Sequence, residues 1–291
     1  MSTTHHGEYF VPEPSKWPLV GTIALLTTVI GAVNSIHQGS INLILVAGLL
    51  LVAYLLFGWF GSVINESMAG NYSDQVDRSF RLGMMWFIFS EVMFFAAFFG
   101  ALFYARVFSV PWLGGEGNNA ATNEFLWPAF NAVWPLLSNP DNQAYQAPAT
   151  AMGAMGLPAI NTAILLTSSV TVTWAHHALR ADNRKHLNIG LALTVLLGII
   201  FLVLQVEEYI HAYNELGLTM DSGIYGSTFF LLTGFHGFHV TMGTLMLFII
   251  LLRCLKGHFS SSNHFGFEAV AWYWHFVDVV WLGLFIFVYW L

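Results

Sequence analysis

Residues Ile41–Ile64 read INLILVAGLLLVAYLLFGWFGSVI, a run without Asp, Glu, Lys or Arg. A helix needs roughly 20 apolar residues to cross a hydrocarbon core of about 30 Å, so this stretch reads as one bilayer-spanning helix. Working outward from it, six more stretches are long enough, or nearly so: Trp17–Ile36, Phe80–Val107, Leu157–Ala178, Leu187–His211, Tyr225–Leu255 and Gly266–Leu291. The apolar runs are continuous rather than alternating, which argues against a β-barrel. The expected fold class is therefore an all-α membrane protein with seven transmembrane helices. Composition agrees. Of 291 residues, 56% are hydrophobic and 9% charged, against about 25% charged in a soluble domain. Nine Lys and Arg cannot build a phosphate-binding face, so no nucleic-acid partner is expected. The single cysteine, Cys254, supports neither a disulfide framework nor a cysteine metal site.

Basic residues orient the chain. With the N-terminus inside, Lys16, Arg78, Arg81, Arg180, Arg184, Lys185, Arg253 and Lys256 all fall inside, and only Arg106 falls outside. Neither the segment Ser109–Gly156 nor Asn214–Ile224 contains a Lys or Arg. The expected organisation is a cytoplasmic tail over 1–16, a two-helix hairpin over 17–66, a polar linker over 67–79, and five helices over 80–291. An outer loop over 109–156 is expected to lie along the surface rather than form a domain. The fourth span is the least hydropathic, with Thr162, Thr167, Ser168, Ser169, Thr171 and Thr173. Such hydroxyls suit a helix that faces protein.

Ionisable groups inside the spans are the candidates for chemistry, because they are costly in lipid. Glu91 lies about 9 residues from the inner end of the third span, roughly 14 Å deep at 1.5 Å per residue. His236 and His239 sit near mid-depth on the sixth span, and His275 and Asp278 near mid-depth on the seventh. Each pair is spaced i, i+3 and shares a face. The expectation is one polar layer where the third, sixth and seventh spans pack. It would serve as a proton relay or ligand site, or as interhelical hydrogen bonds that set register. Haem ligation would need facing axial ligands and room for a macrocycle. A copper site would need further convergent ligands, for which the pairs show no obvious complement. Glu207 and Glu208 lie near the outer end of the fifth span, where one or both are expected to reach the interface. His5, His6, His176, His177, His186, His258 and His264 fall inside, as interfacial decoration or as a proton-collecting surface. Trp59, Phe60, Glu66, Arg253 and Lys256 belong to the inner interfacial level, where Arg and Lys beside apolar surface can hold a phospholipid phosphate.

Several runs then point to a family. They are GIYGSTFF at 223–230, TGFHGFHV at 233–240, HFGFE at 264–268 and AWYWHFVDVVW at 271–281. Further matches are Ser90-Glu91-Val92 with Phe94-Phe95, TWAHH at 173–177, and Arg184-Lys185-His186. Together these resemble subunit III of haem–copper cytochrome c oxidase.

The resemblance implies a two-helix plus five-helix bundle with a V-shaped cleft that holds phospholipid. It implies no catalytic residue, haem or metal in this chain. Haem a and copper belong to partner subunits, with subunit I the main contact and subunit II also present. Cytochrome c would be the substrate of the complex. The subunit would sustain proton uptake and turnover durability. Glu91 corresponds to the family carboxylate that reacts with a hydrophobic carbodiimide. Lipid contacts carry over to Trp59, Phe60, Glu66, Arg253, Lys256 and His258, whereas Tyr72 stands where many relatives have His. The long outer loop favours a bacterial source, hence the inner membrane, with the N-terminus cytoplasmic and the C-terminus periplasmic. The alternatives are a proton-coupled transporter and subunit III of a quinol oxidase, which often has only five helices.

Overall fold

The computed structural model describes residues 10–11 and 14–291. His5, His6, Glu8 and Glu13 of the expected tail lie outside the described residues. The elements, in order, are α1 (Trp17–Gln38), α2 (Leu43–Met68), α3 (Asp74–Tyr104), a π-helical segment (Ala105–Ser109), α4 (Val110–Leu113), α5 (Ala120–Leu126), α6 (Leu157–Arg180), α7 (Arg184–Asn214), α8 (Ile224–Leu255), α9 (Phe265–Leu284) and a second π-helical segment (Phe285–Trp290). Among the described residues there is no strand. Seven helices are long and apolar enough to cross a membrane, the third running Asp74–Leu113. They expose much of their apolar surface. On α2 only Gly48 is buried, while Leu43 is 82% and Phe57 76% exposed. In water each such side chain would forgo about 1.5–3 kcal/mol of burial, whereas lipid tails solvate it at no such cost. The chain is a multi-pass membrane protein.

It divides into two compact units, Met1–Leu82 and Gly83–Leu291. In the first, α1 and α2 form an antiparallel hairpin. Gly39, at φ +63°, ends α1 in the left-handed conformation that glycine adopts without strain. Asn42 then does two jobs: its Oδ1 caps α2 by accepting from the Leu45 N–H (2.9 Å), and its Nδ2 donates to the Gly31 carbonyl (2.9 Å). Gly31 and Gly48 lie where the two backbones nearly touch. At the far end of the hairpin the Trp17 indole donates to Ser62 Oγ at 3.0 Å.

Helix α3 begins at Asp74, not near Phe80, so part of the expected linker is helical. Hydropathy locates only the part of a helix that meets lipid. The polar turn before it is held by helix-terminal electrostatics. Asp74 and Asp77 occupy the first turn, where carboxylates complement the helix dipole, and Arg81 Nε donates to Asp77 at 2.8 Å.

In the second unit, α6 to α9 pack around Trp274 and Trp281, both fully buried. Trp274 Nε1 donates to Ser168 Oγ (2.9 Å) and Trp281 Nε1 to Thr162 Oγ1 (2.9 Å), while Thr171 and Thr194 share a bond of 2.8 Å. The hydroxyls of Thr162, Ser168 and Thr171 therefore serve neighbouring helices, as the sequence leads one to expect, whereas Thr167 is exposed and bonds back to the Ala163 carbonyl. Trp274 fits because Gly198 and Gly243 leave it room; a Cβ on either would stand 3.0 Å or 2.8 Å from its ring.

The outer loop starts later than Ser109, since helix continues to Leu113. Its chain is stitched down. Phe130, Leu136, Asn139 and Met152 are buried. Asn139 Nδ2 donates to the carbonyls of Tyr145 and Ser222, Ala149 N–H to Leu216 O, and Met152 N–H to Tyr225 Oη. Arg106 lies over the Trp134 ring at 6.0 Å, and that ring meets Tyr225 edge-on.

Candidate functional site

Glu91 on α3 and His239 on α8 meet at 2.8 Å, Oε2 to Nε2. The tautomer follows from the other ring nitrogen. His239 Nδ1 lies 2.6 Å from the Phe235 carbonyl, which can only accept, so Nδ1 carries a hydrogen. The Glu91–His239 bond then holds one proton, on the carboxyl or on the ring. Phe94, Phe95, Tyr273 and Phe276 surround the imidazole. The Glu91 side chain is 22% exposed and that of His239 9%, so the pair is largely screened from bulk solvent.

The single polar layer expected from sequence divides into three places. His236 turns from Glu91 and packs against Phe201 and Trp281, with neither ring nitrogen hydrogen-bonded. His275 turns to α6, where Nδ1 meets Ser169 Oγ at 2.7 Å and Nε2 meets Thr173 Oγ1 at 3.3 Å. Asp278 is buried 3.7 Å from His275 Nδ1, with no hydrogen bond to either oxygen. The reason is geometric. Residues i and i+3 differ by roughly 60° around the axis; on α8 that suffices to aim His236 and His239 at different neighbours, whereas His275 and Asp278 on α9 stay within 3.7 Å of each other.

Of the expected lipid contacts, three lie in the first unit. Trp59 and Phe60 are exposed on α2. Glu66 accepts from Tyr72 Oη at 2.9 Å, and Tyr72 also donates to Val63 O at 3.3 Å. Burial pushes the Tyr72 phenol above its ordinary value, with the hydrogen bond and charge of Glu66 adding to it. A raised phenol pKa means that the neutral donor is favoured by the fold. This stabilisation is fully present below the unfolded value near 10 and is lost only as pH rises through the folded value. Tyr72→Phe is therefore expected to cost about 0.5–1.5 kcal/mol, by the same amount at about pH 6 and about pH 9. Thermal melts at the two pH values check it. In the second unit, Arg253 lies over the Phe259 ring at 4.3 Å, Lys256 is exposed, and His258 is half-buried with Nδ1 unpartnered.

Two clusters escaped the sequence reading. Of the two carboxylates near the outer end of α7, one or both of which were expected at the interface, Glu207 is exposed and Glu208 is fully buried. Tyr289 Oη donates to Glu208 Oε1 at 2.5 Å and Gln205 Nε2 at 3.1 Å, while Oε2 has no partner. Adjacent helical residues point about 100° apart. Thr194, Gly198, Phe201, Gln205, Glu208 and Ala212 form one buried stripe on α7, and Glu207 lies off it. Glu207, Glu208 and His211 line a cavity of about 430 Å³. The second cluster joins His176 near the end of α6 to His264 and Glu268 at the start of α9; one ring nitrogen from each histidine and one carboxylate oxygen lie within 4.8 Å of one another.

The family model described as "Cytochrome c oxidase subunit III" matches residues 6–139 and 141–291. Curated relatives called "Cytochrome c oxidase subunit 3" from Rhinoceros unicornis and Rattus norvegicus are each 42% identical over 283 residues, covering 97% of this chain and 96% of the relative. That of Coturnix japonica is 43% identical over the same shares. Seven membrane-crossing helices and a match along nearly the whole length lead to one conclusion: the chain belongs to the cytochrome c oxidase subunit III family.

Proposed function

We propose that this chain is a non-catalytic, phospholipid-binding subunit of a proton-translocating oxidase that transfers electrons from cytochrome c to dioxygen. Haem a and copper reside in subunits I and II, and subunit I is the main contact. The membrane is the bacterial cytoplasmic membrane, with the N-terminus cytoplasmic. The observation that carries the reading is the family match over 97% of the chain. Supporting it are Trp59 and Phe60 exposed near Glu66 on α2, a surface that acyl chains would cover, and the cations Arg253 and Lys256 at the end of α8, which suit phosphate headgroups. Glu91 and His239 form the proton-linked pair, because their shared hydrogen bond exchanges one proton without exposing a charge to lipid.

The experiment is a mild-detergent pull-down of the tagged chain, read by visible spectroscopy and lipid mass spectrometry. Haem a absorbance, co-purifying large subunits and retained phospholipid are the expected result; a colourless single chain from native lipid discs would overturn it. Glu91→Gln is expected to leave electron transfer nearly intact. The amide can still donate to His239 Nε2, so packing survives, while the pair loses its exchangeable proton. Loss of most steady-state turnover in an assembled complex would refute this.

A further inference from the structure

We infer that His176, His264 and Glu268 form a binding site for a divalent transition-metal ion of the zinc class, joining the end of α6 to the start of α9. His264 is the N-cap residue of α9, and Glu268 lies one turn on, its backbone N–H donating to the His264 carbonyl at 3.1 Å. Spaced i, i+4, the two face the same way. His176 comes in from the last turns of α6, its ring 5.5 Å from that of His264 at 66°. This edge-to-face arrangement lets ring nitrogens converge where parallel stacking would keep them apart.

Two independent observations point to a ligand. His264 Nδ1 donates to the Ser260 carbonyl at 3.1 Å, which leaves Nε2 with its lone pair. Metal-binding histidines almost always carry such a partner on the other nitrogen, and it fixes both tautomer and ring orientation. Among the described residues, the buried His176 Nε2 has no hydrogen-bond partner, although buried polar atoms in proteins are nearly always satisfied. An ion between the rings would complete both. Phe267, buried beside His176 at 5.4 Å, keeps that side of the site apolar.

The donor set selects the ion class. Two imidazoles and a carboxylate suit zinc or a similar first-row divalent ion, not calcium or magnesium, which prefer oxygen. Bonds of about 2.0–2.2 Å require ligand atoms closer together than the 4.8 Å limit, so the side chains would draw in around the ion. Three protein ligands leave a position for water. The ion would tie two helices together at one end of the bundle, a role separate from that of Glu91.

The test loads the full chain, carrying a histidine-free tag in lipid nanodiscs, with Zn²⁺ and separately with Co²⁺. One equivalent of zinc per chain, bound at micromolar concentration or tighter, is expected, with visible d–d bands from cobalt. His176→Gln and Glu268→Gln should each weaken binding at least about tenfold, and His264→Gln should abolish the cobalt bands. Undiminished binding in all three variants, or no binding by the parent chain, overturns the site. Should a variant fail to reconstitute, zinc-edge X-ray absorption on the parent chain decides. Two imidazoles at about 2.0–2.1 Å uphold the site, and an all-oxygen shell removes it.

Discussion

Replacing Gly31 and Gly48 together by alanine is expected to unzip the α1–α2 hairpin. A Cβ on Gly48 would stand 2.6 Å from the Thr28 backbone, and one on Gly31 would overlap the Leu45 backbone. Real Cβ atoms essentially never come within 3.0 Å of such atoms. Backbone cannot swing aside as a side chain does, so the helices must separate along their length. Overpacking of one site costs about 1–3 kcal/mol, and two sites on one seam act on the same separation. The Asn42 bond to the Gly31 carbonyl would go with it. Hydrogen exchange read by mass spectrometry should rise in peptides covering 17–38 and 43–68 and stay unchanged beyond 83. Gly61→Ala is the control. It lies on α2 with nothing within 4 Å of its Cβ, so it should be neutral or gain about 0.5–1 kcal/mol from helix propensity. A neutral double variant would show that the close approach does not hold the hairpin.

Glu208→Ala carries the second large effect. Truncation strands the Tyr289 hydroxyl and the Gln205 amide, both of which donate to Glu208 Oε1. A buried donor left unsatisfied costs about 1–3 kcal/mol, and lipid offers no replacement water. Glu208→Gln retains a carbonyl oxygen for both donors and is expected to lose about 1 kcal/mol or less. The expected order in thermal melts of the chain in nanodiscs is therefore parent, then Glu208→Gln, then Glu208→Ala well below. Equal melts for parent and Glu208→Ala would mean that the cavity beside Glu208 hydrates the stranded groups.

The candidate sites were less legible than the spans, for a reason visible on α7. In a soluble protein, the polar face of a helix shows which way it points. Lipid tails are as apolar as a packed core, so helices buried in a membrane lose that marker. On α7, Leu191 is buried and Leu196 faces out, and residue type does not distinguish them. Glu207 and Glu208 fell on opposite sides of that ambiguity. The i, i+3 rule placed His275 with Asp278, and they do lie 3.7 Å apart, but it also placed His236 with His239, and there a shared face of one helix is not a shared neighbour. Glu91 and His239 were both expected in one polar layer and do meet, but that His239 rather than His236 faces Glu91 depends on how α3 and α8 are rotated. His176 lies far in sequence from His264 and Glu268, so no local spacing could join them.

What the sequence determined by itself is the membrane, the number of spans and the family. Each rests on composition, run length or long local matches, all of which are one-dimensional. The hydroxyl-rich span was also readable as one that suits a protein-facing helix, and Ser168 and Thr162 do accept from buried tryptophans. Only the tertiary structure decided the rotation of each helix about its axis. That rotation is set by where glycines let backbones approach and where Trp274 and Trp281 find their hydroxyl acceptors. It brought Glu91 to His239, buried Glu208 beneath Tyr289, and drew His176 towards His264 and Glu268.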